Sequence, residues 1–208
     1  MIKRYKKLYY LGLLATFLFI SNAQSNETTP FTESVVIFNT ICAKCHEAQC
    51  SGRMSFDDAS EASRNHIIRY YGDAKDKKWL QKELFTILNH MKEKCAYYPM
   101  ESPLPLKRVW SSDVLDKMTT LLERNYFIPL GSFSPGKYYI NLELEKNAKI
   151  TVHLVSEEFE MVIEDCFTPD NKKLEIPFSI TDKGNYYFRM YPKKSIRIVS
   201  LAVKGVDE

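Results

Sequence analysis

Apolar residues recur along this chain with two different periods. Between Thr32 and about Asn125 they return every three to four residues, the spacing of one face of a helix. Thr32 can cap a first helix running through Val35, Val36, Phe38 and Ile41. A second segment, Ala59 to Tyr71, puts Ala62, His66, Ile67 and Tyr70 on one face. The longest, Lys78 to Lys94, carries the stripe Leu80, Leu84, Ile87, Leu88 and Met91. Pro99, Pro103 and Pro105 forbid helix between Tyr97 and Val109 and predict a wrapped loop. Ser112-Asp113 then caps a last predicted helix with Leu115, Met118, Leu121 and Leu122 inward.

Around Phe127 the period shortens to two. Lys137–Glu145, Lys149–Ser156, Glu158–Asp165, Leu174–Thr181, Asn185–Tyr191 and Ser195–Lys204 read as short strands rich in Tyr, Phe, Ile and Val. Turn signals separate them: Ser134-Pro135-Gly136, Lys146-Asn147, Pro169-Asp170-Asn171 and Asp182-Lys183-Gly184. Strands in unbroken succession predict an antiparallel sandwich. The expected fold class is multidomain, α then β. Residues 32–125 form a helical domain and residues 126–208 a small β-sandwich of the galactose-binding or fibronectin type.

The first residues follow neither period. Lys3, Arg4, Lys6 and Lys7 precede an apolar run from Leu8 to Ile20, and Ser21-Asn22-Ala23 offers a cleavage site. Residues 1–23 therefore read as a secretory signal, and 24–31 as a flexible mature N-terminus. The run is too short to span a bilayer, so no stable membrane insertion is expected after cleavage. The leader also removes four cations, so the formal balance of +3 becomes −1 in the mature chain. That balance lacks the basic footprint of a nucleic-acid binder. The expected location is the periplasm or another exported compartment of bacterial type.

Five cysteines in an exported chain ordinarily suggest disulfides. Cys42-Ala43-Lys44-Cys45-His46 stands apart, because two thiols three residues apart can add to the two vinyl groups of haem while the next His reaches the iron. Its rivals are a thiol redox pair, or half of a zinc site completed by Cys50. On this motif, on Phe38 four residues earlier, and on Leu121, Leu122 and Tyr126 at the expected closing helix, residues 32–125 resemble the class I c-type cytochromes. The resemblance implies one covalently attached haem c per chain, held by Cys42 and Cys45, with His46 as proximal iron ligand. It places the distal ligand on a Pro-containing loop before the last helix, where Tyr98-Pro99-Met100 stands, so Met100 is the expected sixth ligand. Cys95 is the alternative ligand, and a His66 or His90 bis-His arrangement a third; Met91 belongs to the apolar stripe.

Cys50 offers Cys95 another fate, a disulfide fastening the distal segment to the haem turn. Arg53, Tyr97, Tyr98 and Trp110 are candidate partners for haem propionates. Cys166 is expected to be buried, and the acidic residues from Glu157 to Asp165 to form a solvated face. The expected activity is one-electron transfer between redox proteins (a reductase, oxidase or dehydrogenase), not enzyme catalysis, with the β domain docking a partner or a carbohydrate. The alternative is a haem-based nitric oxide sensor or a peroxidase-like enzyme with a Cys or labile sixth ligand.

Overall fold

The structure is a computed structural model that describes residues 31–52, 59–100, 104–105 and 107–206. The expected signal, the N-terminus over 24–30 and Arg53 lie outside the described residues.

The chain opens with helix α1 (Thr32–Ile37), which widens without interruption into a π-helix (Phe38–Cys42) and closes as the single turn α2 (Ala43–His46). Asn39 and Thr40 are buried here and spend their side chains on the carbonyls of Val35 and Val36, at 2.9 and 2.8 Å. Helix α3 (Ala59–Tyr70) and a 3₁₀ turn (Gly72–Ala74) lead to α4 (Lys78–Lys94). The stripe of α4 faces inward, with Leu80, Leu84, Ile87 and Met91 packed on Val35, Val36, Phe38 and Ile67. Helix α4 ends at Cys95, whose φ of 50° is the left-handed conformation usually left to glycine. A disulfide between Cys95 and Cys50 holds it there.

Two antiparallel four-stranded sheets follow. Strands β1 (Val109–Ser111), β8 (Ile198–Gly205), β3 (Gly136–Leu144) and β6 (Lys173–Ile180) form one sheet in that spatial order. Strands β2 (Tyr126–Phe133), β7 (Gly184–Pro192), β4 (Ile150–Ser156) and β5 (Met161–Phe167) form the other. Alternate residues of both sheets meet in one core, including Tyr126, Ile128, Ile140, Leu142, Val152, Leu154, Phe188 and Leu201. Edge strand β2 carries Pro129 and a bulge between Pro129 and Gly131, and edge strand β6 carries Pro177.

The expectation of a cytochrome c-like helical domain followed by a small sandwich is corrected at this point. The sandwich is the larger part of the molecule, and the closing helix that the resemblance needs does not form. Only Ser112–Leu115 is helical there, as the single turn α5. Leu115 and Met118 enter the sandwich core, while Leu121 and Leu122 are 71% and 66% exposed. The spacing imitates a helix, but local hydrogen bonds win. Thr120 Oγ1 accepts from the Asn125 amide at 3.0 Å, the Thr120 amide donates to the Asn125 carbonyl, and Arg124 turns left-handed. Tyr126 is thereby delivered to β2, where its hydroxyl accepts from the Ile198 amide at 3.1 Å. Trp110 likewise sits on β1, buried in the sandwich core.

The same turn is tied down by charge. Asp116 accepts from Arg124 at 3.0 Å and from Arg197 Nε at 3.1 Å, with a second contact to Arg197 Nη2. Hydrogen bonding by Arg197, and then by Arg124, holds the Asp116 carboxyl below the ordinary carboxylate range, against the opposing effect of burial. A carboxyl depressed by folding adds stability above its unfolded value, near 3.8, and loses it as pH falls through the folded value. Asp116→Asn should therefore cost about 1 kcal/mol at neutral pH, a figure reduced for partial exposure. Urea titrations across pH should show the gap between variant and wild type closing as pH drops below about 4.

Candidate functional site

The π-helix and the turn α2 bring Cys42, Cys45 and His46 to the wall of one apolar cleft. Phe38, Ile41, Ile67, Leu84, Phe85 and Leu88 supply most of its surface, and His66 and Tyr70 of α3 close the far side. The two His rings lie 5.8 Å apart, edge to face. Gln49 fixes the His46 ring: its amide nitrogen donates to the Cys45 carbonyl at 2.7 Å, which leaves its oxygen to accept from His46 Nδ1 at 3.0 Å. The two thiols differ in setting. Cys45 is exposed, whereas burial, and then the neighbouring Cys45, push the Cys42 thiol up to about 12.

The residues do not fit the expected haem. The cleft has a volume of about 50 Å³, well below the ~300 Å³ at which sites for larger ligands begin. Neither expected distal ligand lines it: Met100 packs between the helical and sandwich cores, and Cys95 is committed to Cys50. His90 meets Tyr98 edge to face at 5.1 Å, Met91 is buried in the helical core, and Tyr98 stacks on Phe31. Among the described residues no group of three or more His, Cys, Asp or Glu side chains is arranged to hold a metal ion. The expectations of haem c, of a class I-like cytochrome, and of electron transfer or its haem-sensor and peroxidase-like alternatives are corrected accordingly.

Glu47, the residue after His46, plays a part that its sequence position does not disclose. It reaches across to the outer face of the β2-β7-β4-β5 sheet and meets Arg189 of β7. Arg189 Nη1 donates to Glu47 Oε2 at 3.0 Å, and Nη2 contacts both Glu47 Oε1 and the Tyr97 hydroxyl. Tyr97 donates to Glu47 Oε1 at 2.7 Å. Burial would lower the Arg189 pKa, but hydrogen bonding and attraction from Glu47 carry it above the ordinary value. Burial dominates at Tyr97 and raises its hydroxyl well above the usual range, so it stays a neutral donor. Phe127, Tyr187 and Phe159 pack around Tyr97, and Lys44 stands 5.0 Å over the Tyr191 ring. A basic residue on a strand and an acidic one after a helix are ordinary surface residues in sequence. Nothing there links Glu47 to Arg189.

The helices thus cover one outer face of the sandwich and leave the opposite face to solvent. Strand pairing aligns Tyr139 with Lys204 and Pro177, Asn141 with Ala202 and Glu175, and Glu143 with Ser200 and Lys173. Lys137, Glu143, Lys173, Glu175, Pro177, Ser179 and Lys204 are exposed, and Tyr139 and Asn141 half-exposed. One aromatic ring therefore stands near the middle of a broad polar face, with small residues (Ala202, Ser200, Ser179) beside it. On β5, at the edge of the other sheet, Cys166 is exposed rather than buried, with its Sγ 3.4 Å from Thr151 Oγ1. Among the described residues no helix is long and apolar enough to cross a membrane.

The fold and its exposed face describe a β-sandwich protein with a helical cover. No protein-family model matches the chain, and no curated protein matches it. Solved structures do. A family GH115 4-O-methyl-α-glucuronidase with specificity for decorated arabinogalactans is 11% identical, with 70% of this chain and 25% of that chain covered and a TM-score of 0.36. A family 29 carbohydrate-binding module is 15% identical over 40% of this chain and 57% of its own, with a TM-score of 0.25. A variant of such a module complexed with cellulohexaose is 16% identical over 40% and 63%, with a TM-score of 0.24. The chain spans less than two thirds of the length of each of these three. At these identities and TM-scores the likenesses carry no argument about ligand or activity.

Proposed function

We propose that this is an exported carbohydrate-binding protein whose ligand lies across the open β1-β8-β3-β6 face. The observation that carries the reading is the pairing of a half-exposed Tyr139 with a surround of hydroxyl, amide, ammonium and carboxylate groups on three adjacent strands, β8, β3 and β6. A sugar ring has an apolar face and a rim of hydroxyls. Tyr139 offers the first a flat surface, and Asn141, Glu143, Glu175, Lys173 and Lys204 offer the second donors and acceptors. Lys137, Lys173 and Lys204 are largely offset on this face by Glu143 and Glu175, so its net field is weak and a neutral polysaccharide suits it better than a polyanion. Export is supported by the basic, apolar and small-residue order of the leader, from Lys3 to Ala23.

Affinity electrophoresis through neutral polysaccharides, with polygalacturonate as the charged control, tests this directly. A neutral glucan or galactan should retard the protein. Calorimetry with Tyr139→Ala should then show affinity at least about tenfold weaker, or about 1.4 kcal/mol. The variant should melt as the wild type does, because Tyr139 points away from the core. Free passage through every neutral polysaccharide, or full retention of Tyr139→Ala, defeats the reading.

A further inference from the structure

The cleft beside Cys42 and Cys45 lies on the helical side and takes no part in the sugar face. We propose that Cys42 and Cys45 form a redox-active dithiol that exchanges with a disulfide presented by a partner protein or peptide. Four features converge on this pair. First, both thiols are free although Cys50, close by in the chain, is joined to Cys95. Second, a separation of three residues on a helical turn stacks the two side chains on one face, and the Cα atoms of such a pair fall within the 4.4–6.8 Å window that a disulfide bridges.

Third, the two sulfurs have unequal access. Cys45 is exposed and can meet an incoming disulfide, while Cys42 is partly covered and can only meet a sulfur already delivered to Cys45. Fourth, the pair sits where the π-helix Phe38–Cys42 gives way to α2, an irregular stretch of the kind that recurs at functional sites. The cleft's walls are almost wholly apolar and its volume is about 50 Å³, room for one small apolar side chain beside the partner's disulfide.

The exchange balances without any other reagent. The Cys45 thiolate attacks one sulfur of the partner disulfide; a new S–S bond forms, the old one breaks, and the partner's other sulfur leaves as a thiolate that takes up a proton. Cys42 then gives up its proton and attacks Cys45 Sγ. The mixed disulfide breaks and the second partner sulfur leaves, again to be protonated. Two electrons and two protons have passed from Cys42 and Cys45 to the partner, which becomes a dithiol while the pair becomes a disulfide.

The test uses the full exported chain in a Cys166→Ser background, so that the only thiols left outside the Cys50–Cys95 bridge are the pair itself. Glutathione buffers of graded ratio serve as the probe, read by intact mass and peptide mapping. Cys42 and Cys45 should interconvert between dithiol and intramolecular disulfide, and Cys42→Ser should accumulate a glutathione adduct on Cys45. Cys45→Ser should slow reaction with glutathione disulfide at least tenfold, since the remaining thiol is covered. The proposal is overturned if no Cys42–Cys45 disulfide forms at any ratio. It is overturned equally if the isolated protein carries both sulfurs in thioether bonds, seen as excess mass that no reductant removes.

Discussion

Glu47→Ala should destabilise the protein by about 3–5 kcal/mol, the usual consequence of stripping the partner from a buried charge. Arg189 is 2% exposed, and both carboxylate oxygens of Glu47 face its guanidinium. Without the carboxylate, Arg189 keeps only neutral partners, the Tyr97 and Tyr191 hydroxyls, and remains beside the rings of Tyr97 and Phe127. An unfolded chain hydrates that charge and the variant cannot, so equilibrium urea unfolding should show a midpoint displaced far below the wild type. The double variant Glu47→Gln with Arg189→Met should recover much of the loss, because it removes the charge together with its partner. A single variant as stable as wild type would mean that water reaches Arg189 and that the pair does not join the helices to the sandwich.

The second large effect belongs to the Cys50–Cys95 bridge, which closes a loop of sequence separation 45. Replacing both residues with Ser should cost about 3–4 kcal/mol, through the freedom returned to the unfolded chain. Two local losses add to it. Cys95 holds a left-handed conformation that a non-glycine residue adopts reluctantly, and the Gly52 amide donates to the Lys92 carbonyl at 3.0 Å beside the bridge. Hydrogen exchange should show extra opening at the C-terminal turn of α4 and in residues 47–52, while the strands keep their relative protection. Uniform loss of protection across the sandwich would instead show that the two parts unfold as one.

These residues also show what could be read from sequence. The stripe of α4 runs at an unbroken 3.6-residue period, and its observed bounds are those expected. The strands from Gly136 onward lie within about three residues of their expected ends, because each is flanked by turn residues and alternates cleanly. The Cys50–Cys95 bridge is one of the two fates that the sequence offers Cys95, and the structure forms it. What misled was the stretch from Leu115 to Tyr126, where apolar spacing satisfied a helix while Thr119 and Thr120 made side-chain bonds to the backbone and Asn125 donated to the Glu123 carboxylate. Losing that helix removes the frame on which the cytochrome resemblance rested. The grouping of Cys42, Cys45 and His46 at one cleft followed from their spacing. The Glu47–Arg189 pair and the open face around Tyr139 could not be seen, since both depend on which strands become neighbours and in what register.

The four edges of the two sheets share a property. On one sheet, β1 is only three residues long and β6 is interrupted by Pro177, which has no amide hydrogen to donate. On the other, β2 carries Pro129 beside a bulge, and β5 exposes Glu164 and Asp165. No edge presents a long, flat ladder of free amides and carbonyls to a second chain. A sandwich built this way resists strand-by-strand polymerisation even when crowded, and its broad open face can stay in water without inviting another copy to extend the sheet.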